Sequence, residues 1–127
     1  QFTEKSVNRE LLKAYVGFCL PQDFEKVNFA IATGNWGCGA FNGNLELKAI
    51  IQLLASSQVN RQLVYLTFND QKLVDEFWQT YKYLNENQVT VGQLYQCVRD
   101  YLLDYTKLKS SLFQYLLKRP FQIITDV

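Results

Sequence analysis

Short apolar runs alternate with longer amphipathic stretches along this chain, and the alternation predicts an α/β fold. Residues 27–33 and 63–68 are rich in β-branched and aromatic side chains, which predicts two buried strands. The helical stretch between them makes a crossover suited to parallel pairing. Both strands are apolar on both faces, whereas parallel sheets are normally wider and covered on both sides. A further segment or a partner chain is therefore expected to complete the sheet.

The stretch between the two strands predicts an amphipathic helix at residues 44–57. Asn44 is placed to cap its first turn, because an asparagine side chain accepts hydrogen bonds from backbone amides at a helix start. Glu46 and Lys48 lie off the apolar face of this helix. The face itself consists of Leu47, Ile50, Ile51 and Leu54 at helical spacing.

Later residues predict further core-building helices, so that four to five helices flank the two strands. Residues 71–86 carry an aromatic stripe at helical spacing. Such a stripe more often belongs to a hydrophobic core than to a ligand site. Thr90 can cap a helix that runs to about residue 105. Residues 107–118 predict another helix, which Pro120 terminates. The stripe consists of Leu73, Val74, Phe77, Trp78, Tyr81 and Leu84.

The most informative stretch is the loop at residues 33–41, which reads TGNWGCGAF. Together with Gly43 it places four glycines between the first strand and the helix. Glycine permits positive φ and, lacking a Cβ, lets backbone amides approach a ligand. The helix start offers about four unpaired N–H groups and a partial charge of roughly +0.5, which favours an anion. The junction predicts a diphosphate site; a plain tight turn is the alternative, and the Rossmann and Walker spacings do not match.

The stretch ATGNWGCGAF, followed by LKAIIQLLA and VYLTFND, resembles the C-terminal part of the catalytic domain of the poly(ADP-ribose) glycohydrolase family. RELLKAYVGF and VTVGQLY resemble further family segments, so the resemblance covers roughly residues 9–105. It implies a partial macrodomain-like α/β fold that binds ADP-ribose or poly(ADP-ribose). Residues 1–105 are accordingly assigned to this domain, and residues 106–127 to a helical extension and tail.

The resemblance also implies which residues bind the ligand. Phe41 would pack beside it, and Phe68 would contact its adenosine end. The chain departs from the family pattern at Asn42, Asn44 and Asn69, where the family usually has glycine, aspartate and glycine. The implied diphosphate loop consists of Asn35, Trp36, Gly37, Cys38, Gly39 and Ala40.

Catalytic residues are not predicted in this chain. Family members hydrolyse ribose–ribose bonds with adjacent glutamates that follow a GGG stretch, and this sequence has neither GGG nor EE. Glycoside hydrolysis needs a carboxyl group that protonates the leaving oxygen and activates water. The adjacent acidic residues Asp75 and Glu76 lie early in a predicted helix, where acidic side chains commonly complement the helix dipole. The alternative function is that of a non-catalytic family fragment serving as a structural or interaction subunit of a larger assembly.

Composition excludes several other classes of protein. The chain has no histidine, and Cys19, Cys38 and Cys97 lack zinc or redox spacing, so neither a metal nor a cofactor is predicted. A net charge of +1 gives no general attraction to nucleic acid, and direct nucleic-acid binding is not expected. No apolar run approaches the ~20 residues of a membrane helix, so no transmembrane segment is predicted. The resemblance implies the nucleus or cytoplasm, with an organellar assembly as the alternative.

Overall fold

A computed structural model describes residues 1–20, 29–39 and 43–121 of the chain. Within them the elements follow in the order α1 (Glu4–Phe18), β1 (Ile31–Gly34), α2 (Leu45–Gln58), β2 (Leu63–Leu66), α3 (Gln71–Glu86), α4 (Val91–Leu103) and α5 (Leu112–Lys118). None of these described helices has the length and apolar character needed to cross a membrane. Each begins at a side-chain cap, which accepts a hydrogen bond from an amide of the first turn. The caps are Thr3, Asn44, Asp70, Thr90 and Ser111.

The two strands form a parallel pair, with Ile31 opposite Leu63 and Gly34 opposite Leu66. Because α2 connects them, the predicted strand–helix–strand crossover and the α/β fold class are confirmed. β1 begins at residue 31, later than predicted, and residues 27–28 lie outside the described part of the chain.

α2 is the central helix of the core, and α1, α3, α4 and α5 all contact it. Its predicted apolar face is confirmed. Because helices surround α2 on several sides, polar residues that lie off this face are buried as well. Gln52 is fully buried and Lys48 is only 8% exposed. The buried face consists of Leu47, Ile50, Ile51 and Leu54, each 3% exposed or less.

The C-terminal helices differ from the prediction in extent. α3 has the predicted bounds, whereas α4 ends at Leu103 and the helix predicted at residues 107–118 begins only at Leu112. The cause is a capping box, in which Ser111 and Gln114 satisfy each other's backbone amides and so fix the helix start. α5 packs into the core through Leu116, which is fully buried. The division of the chain at residue 105 stays a prediction.

Part of the predicted aromatic stripe of α3 is not core. Leu73 and Leu84 are buried, and Phe77 packs against the core. The three remaining residues line a groove beside β2, and no described element fills that groove. For this reason their core assignment is wrong for the described chain. They are Val74, Trp78 and Tyr81, which are 42%, 61% and 40% exposed.

One face of the two-stranded sheet is bare. Side chains alternate between the faces of a strand, and Val64 and Leu66 of β2 are 48% and 55% exposed. Leu63 and Tyr65 point the other way, and the ring of Tyr65 meets the ring of Phe77 on α3. In the described chain the helices therefore cover the sheet on one side only.

Candidate functional site

The two segments of the predicted site lie at one edge of the sheet. Because the strands are parallel and end together, the glycine loop after β1 and the turn after β2 leave the sheet side by side. The ring of Phe68 is 80% exposed and lies against Gly34. A Cβ built on Gly34 would meet the Leu66 carbonyl oxygen at 2.8 Å and Phe68 Cε2 at 3.2 Å. Glycine is therefore required at this position for the two segments to meet.

A buried glutamine anchors the end of β1. The Thr33 hydroxyl donates to Gln52 Oε1 over 2.6 Å, and Gln52 Nε2 donates to the Gly34 carbonyl over 2.8 Å. Since Gln52 is fully buried in the middle of α2, these bonds tie the strand end to the central helix of the core. The amide of Gln52 therefore sets the direction in which the chain enters the loop.

A second anchor comes from β2. The Tyr65 hydroxyl donates to Asn35 Oδ1 over 2.8 Å. Burial, with a smaller contribution from Cys38, raises the pKa of Tyr65, so the hydroxyl stays protonated and remains a donor at neutral pH. Asn35 is thereby held at the start of the loop by a side chain from the neighbouring strand.

The loop is partly closed on itself. The amides of Trp36, Cys38 and Gly43 donate to the carbonyls of Gly34, Asn35 and Gly37, over 2.9, 3.1 and 2.9 Å. Among the described residues, no hydrogen-bond partner is found for the amides of Gly37 and Gly39. Gly37 has a φ of 75°, and nothing lies within 4 Å of the position that a Cβ on Gly39 would take. Within the described part of the loop, two backbone donors are therefore without a partner and the space beside Gly39 is open.

A partly buried ion pair lies beside the loop. The ammonium of Lys48 is 3.2 Å from Glu10 Oε2 on α1 and 3.6 Å from the centroid of the Trp36 ring. Burial of Glu10 opposes its ionisation, but the hydrogen bonds and charges of Lys48 and Lys13 outweigh it and lower the pKa of Glu10. Glu10 is therefore ionised at neutral pH, and its contact with Lys48 joins α1, α2 and the loop.

Cys38 is not an activated thiol. Burial raises its pKa, although the positive charge of Lys48 acts in the opposite direction. Its Sγ lies 3.8 Å from the Trp36 carbonyl oxygen. A thiol with a raised pKa is protonated at neutral pH, and the thiolate is the nucleophilic form. The geometry thus gives Cys38 a place in the loop and no nucleophilic role.

Two of the three positions that depart from the family pattern can be described. Asn44 caps α2 by accepting from the Leu47 amide over 2.9 Å, and asparagine and aspartate are nearly equivalent caps. Asn69 has a φ of 69° and follows Phe68 at 56°, so both residues adopt the left-handed conformation. Asparagine tolerates that conformation better than most residues, and phenylalanine does not. This turn lifts the Phe68 ring out of the line of β2.

The structure describes six of the eight predicted binding residues, Ala40 and Phe41 lying outside its described part together with Asn42. The loop and Phe68 come together at one edge, and their contact with a ligand stays a prediction. Sequence reasoning missed the supports of the loop. The available signal was a glutamine flanked by apolar residues in LKAIIQLLA. The missed residues are Glu10, Lys48, Gln52 and Tyr65.

The adjacent acidic residues Asp75 and Glu76 lie on the solvent side of α3. Asp75 accepts from Gln71 over 2.9 Å, and Glu76 is 3.8 Å from Lys72, whose side chain is 83% exposed. Within the described ranges, no group of three metal-ligating side chains comes together. The acidic pair therefore belongs to a solvated helix surface far in sequence from the loop.

A groove of about 720 Å³ lies between α2, β2 and α3. None of the described loop residues lines it, so it is separate from the predicted binding site. Tyr65 lines the groove with its ring and contacts the loop with its hydroxyl. The exposed part of the α3 stripe forms one wall of the groove, and Leu63, Val64 and Tyr65 of β2 line another part of it.

The chain is similar in sequence to known poly(ADP-ribose) glycohydrolases. The family model for "Poly (ADP-ribose) glycohydrolase (PARG), Macro domain fold" matches residues 1–75. Poly(ADP-ribose) glycohydrolase 1 of Caenorhabditis elegans is 34% identical over 100 residues, which are 79% of this chain and 13% of that protein. Poly(ADP-ribose) glycohydrolase 2 of the same organism is 38% identical over 96 residues, 75% of this chain and 19% of that protein. Poly(ADP-ribose) glycohydrolase 1 of Arabidopsis thaliana is 37% identical over 117 residues, 90% of this chain and 21% of that protein.

The parallel strand pair, its crossover helix and the matched model define an α/β chain of the macro domain class. The resemblance found in the sequence is confirmed as well. The chain belongs to the poly(ADP-ribose) glycohydrolase family and corresponds to the C-terminal catalytic part. It spans only 13–21% of the length of the three relatives named above.

Proposed function

We propose that this chain carries the ADP-ribose diphosphate-binding loop of a poly(ADP-ribose) glycohydrolase, whose reaction is hydrolysis of ribose–ribose bonds in poly(ADP-ribose). The observation that carries the proposal is the pair of available amides at Gly37 and Gly39, which among the described residues have no partner. They belong to the loop that leaves β1 at Gly34, and the exposed ring of Phe68 lies against Gly34. The names of the relatives, all poly(ADP-ribose) glycohydrolases, support the choice of substrate.

In this proposal the loop binds the negatively charged diphosphate, and the turn after β2 binds the adenine ring. The amides of Gly37 and Gly39 donate to diphosphate oxygens, and hydrogen bonds to a charged acceptor contribute about 1.5–3 kcal/mol each. α2 begins directly after the loop and adds the positive end of its dipole. Phe68 stacks on the adenine, a contact of about 1–3 kcal/mol.

The hydrolytic step is assigned to residues outside this chain. It needs a carboxyl group within about 3 Å of the proton it transfers. The acidic side chains that are described near the loop are otherwise engaged: Glu10 is paired with Lys48, and Glu46 accepts from the Phe113 amide over 2.8 Å. We therefore assign ligand binding to this chain and catalysis to another part of a longer polypeptide or assembly.

A further segment is proposed to cover the open sheet. Val64 and Leu66 on its bare face, and Trp78 in the groove, are apolar and exposed. Covering a few hundred Å² of such surface contributes several kcal/mol at about 25 cal/mol per Å². This is comparable with the total stability of a domain. Another part of the same protein or a neighbouring subunit would supply the missing strands.

The alternative function is that of a non-catalytic family fragment serving as a structural or interaction subunit. The bare face of the sheet favours it, because such a face suits a permanent contact with other chains. Under this alternative, the folded chain gives no calorimetric heat with ADP-ribose and co-purifies with subunits unrelated to glycohydrolases. Under the main proposal, it binds ADP-ribose and the strands that complete its sheet come from a glycohydrolase.

Isothermal titration with ADP-ribose tests the main proposal. The Gly39→Val substitution fills the open approach to the loop without meeting other described atoms, so the fold should be kept. We expect binding to weaken about 10- to 100-fold, the range of one lost charge-assisted bond. Gly17→Val is the matched control, since Gly17 lies on α1 and a Cβ there also meets nothing within 4 Å. Unchanged affinity in folded Gly39→Val would refute the assignment of the loop.

A further inference from the structure

Lys48 lies where two effects disfavour a lysine. It is 8% exposed, whereas lysine is almost never buried unless it is paired. It is also the fourth residue of α2, in the first turn, where the helix dipole disfavours a cation. A lysine kept against both effects requires specific partners, and these partners reveal what the residue does.

The ammonium of Lys48 joins three segments of the chain. It is 3.2 Å from Glu10 Oε2 on α1 and 3.6 Å from the centroid of the Trp36 ring in the loop. It also lies 3.6 Å from the position that a Cβ on Gly37 would occupy. Glu10 is held in turn by Lys13 at 3.3 Å. The loop thus rests on a buried cation that α1 fixes in place.

The contacts of Lys48 point toward the loop and not toward solvent. Its side chain is 10% exposed, because the carboxylate of Glu10 and the ring of Trp36 cover the ammonium. A cation over a tryptophan ring is attracted to the ring face, and the attraction grows when water is excluded. Trp36 immediately precedes Gly37, whose φ of 75° is the left-handed conformation of the loop. Fixing the ring therefore fixes the peptide that follows it.

We propose that Lys48 is a positioning residue, which holds the Trp36 ring and thereby keeps the Gly37 and Gly39 amides aimed at the diphosphate. The inference rests on the proposed function of the loop and extends it to α1, because Glu10 holds Lys48. Lys48 acts through Trp36 and makes no contact with the ligand. The binding of an anion to the loop is thus coupled to a buried ion pair between two helices.

Fluorescence of Trp36 gives a readout that does not depend on the ligand. The chain has two tryptophans, and Trp78→Phe in the groove leaves Trp36 as the single reporter. In this background, Lys48→Met removes the cation while keeping a long apolar stem. We expect increased quenching of Trp36 by acrylamide and an ADP-ribose dissociation constant raised about 2- to 30-fold, the range of a cation–π contact. Lys48→Arg should restore both properties, since arginine also stacks on aromatic rings.

Lys82→Met is the matched control, because Lys82 also pairs with a glutamate, Glu86, but lies on α3 and is 62% exposed. It should leave the quenching and the affinity unchanged. Should Lys48→Met fail to fold, Glu10→Gln releases the ammonium without enlarging a cavity, and the same two changes are expected at smaller size. Wild-type quenching or wild-type ADP-ribose affinity in a folded Lys48→Met variant would overturn the proposal. If the parent chain itself binds no ADP-ribose, the proposed function fails, while the quenching comparison still decides whether Lys48 holds Trp36.

Discussion

The loop after β1 and the groove beside β2 differ in the side chains that surround them. The loop is bounded by buried polar anchors: Gln52 is fully buried and Lys48 is 8% exposed. One wall of the groove carries exposed apolar side chains of α3, among them Trp78 at 61% exposure, and Leu66 on the bare face of the sheet is 55% exposed. The buried polar side chains beside the loop have hydrogen-bond or ion-pair partners. In contrast, several apolar side chains of α3 and β2 remain exposed in the described chain.

The loop and the sheet differ in whether the described chain supplies the elements that surround them. The loop derives its geometry from elements within the described chain, namely α1, α2 and β2. The sheet does not, since its bare face requires cover that no described element supplies. The described chain therefore sets the geometry of the loop locally, although its sheet is open on one face.

The largest expected effect comes from removing the buried anchor. Gln52→Leu should lower the free energy of unfolding by about 2–3 kcal/mol, because it removes the acceptor of the Thr33 hydroxyl and one donor to the Gly34 carbonyl, which then keeps the Trp36 amide. Urea denaturation measures this difference. Gln58→Leu is the control at the exposed end of α2, where a change within about 0.5 kcal/mol is expected. Equal stabilities of the two variants would show that Gln52 does not anchor the strand.

A smaller effect distinguishes the two exposed aromatic residues. Phe68→Ala should weaken ADP-ribose binding by about 1–3 kcal/mol, the contribution of a ring stacked on a base. Trp78→Ala removes a ring of similar exposure from the groove and should leave ADP-ribose affinity unchanged. Calorimetric titration of both variants makes the comparison. Loss of affinity in Trp78→Ala, with Phe68→Ala unaffected, would move the binding site from the loop to the groove.

The sequence predicted those parts of the fold that local pattern controls. Asn44 and Asp70 are capping residues followed by apolar periodicity, so α2 and α3 began where expected. The apolar runs predicted a parallel pair because a helical stretch separates them. Helix α5 began later than predicted, since the capping box at Ser111 was not recognised.

Burial of polar residues could not be predicted from periodicity. Lys48 lies off the apolar face of α2 by spacing, and it is buried because Glu10 of α1 and the Trp36 ring of the loop cover it. The opposite error concerns Trp78, which shares the apolar stripe of α3 but lacks a covering element in the described chain. Both depend on what packs beside a helix, which is information that a single periodic segment does not contain.

The most direct test of the binding loop observes its amides. In a heteronuclear NMR titration of the isotopically labelled chain with ADP-ribose, we expect the largest amide shifts at Gly37 and Gly39, because these donors would meet the diphosphate. Adenosine has no phosphate and should shift the resonances near Phe68 while leaving both glycine amides in place. Saturable binding of ADP-ribose without movement of the Gly37 and Gly39 amides would contradict the account.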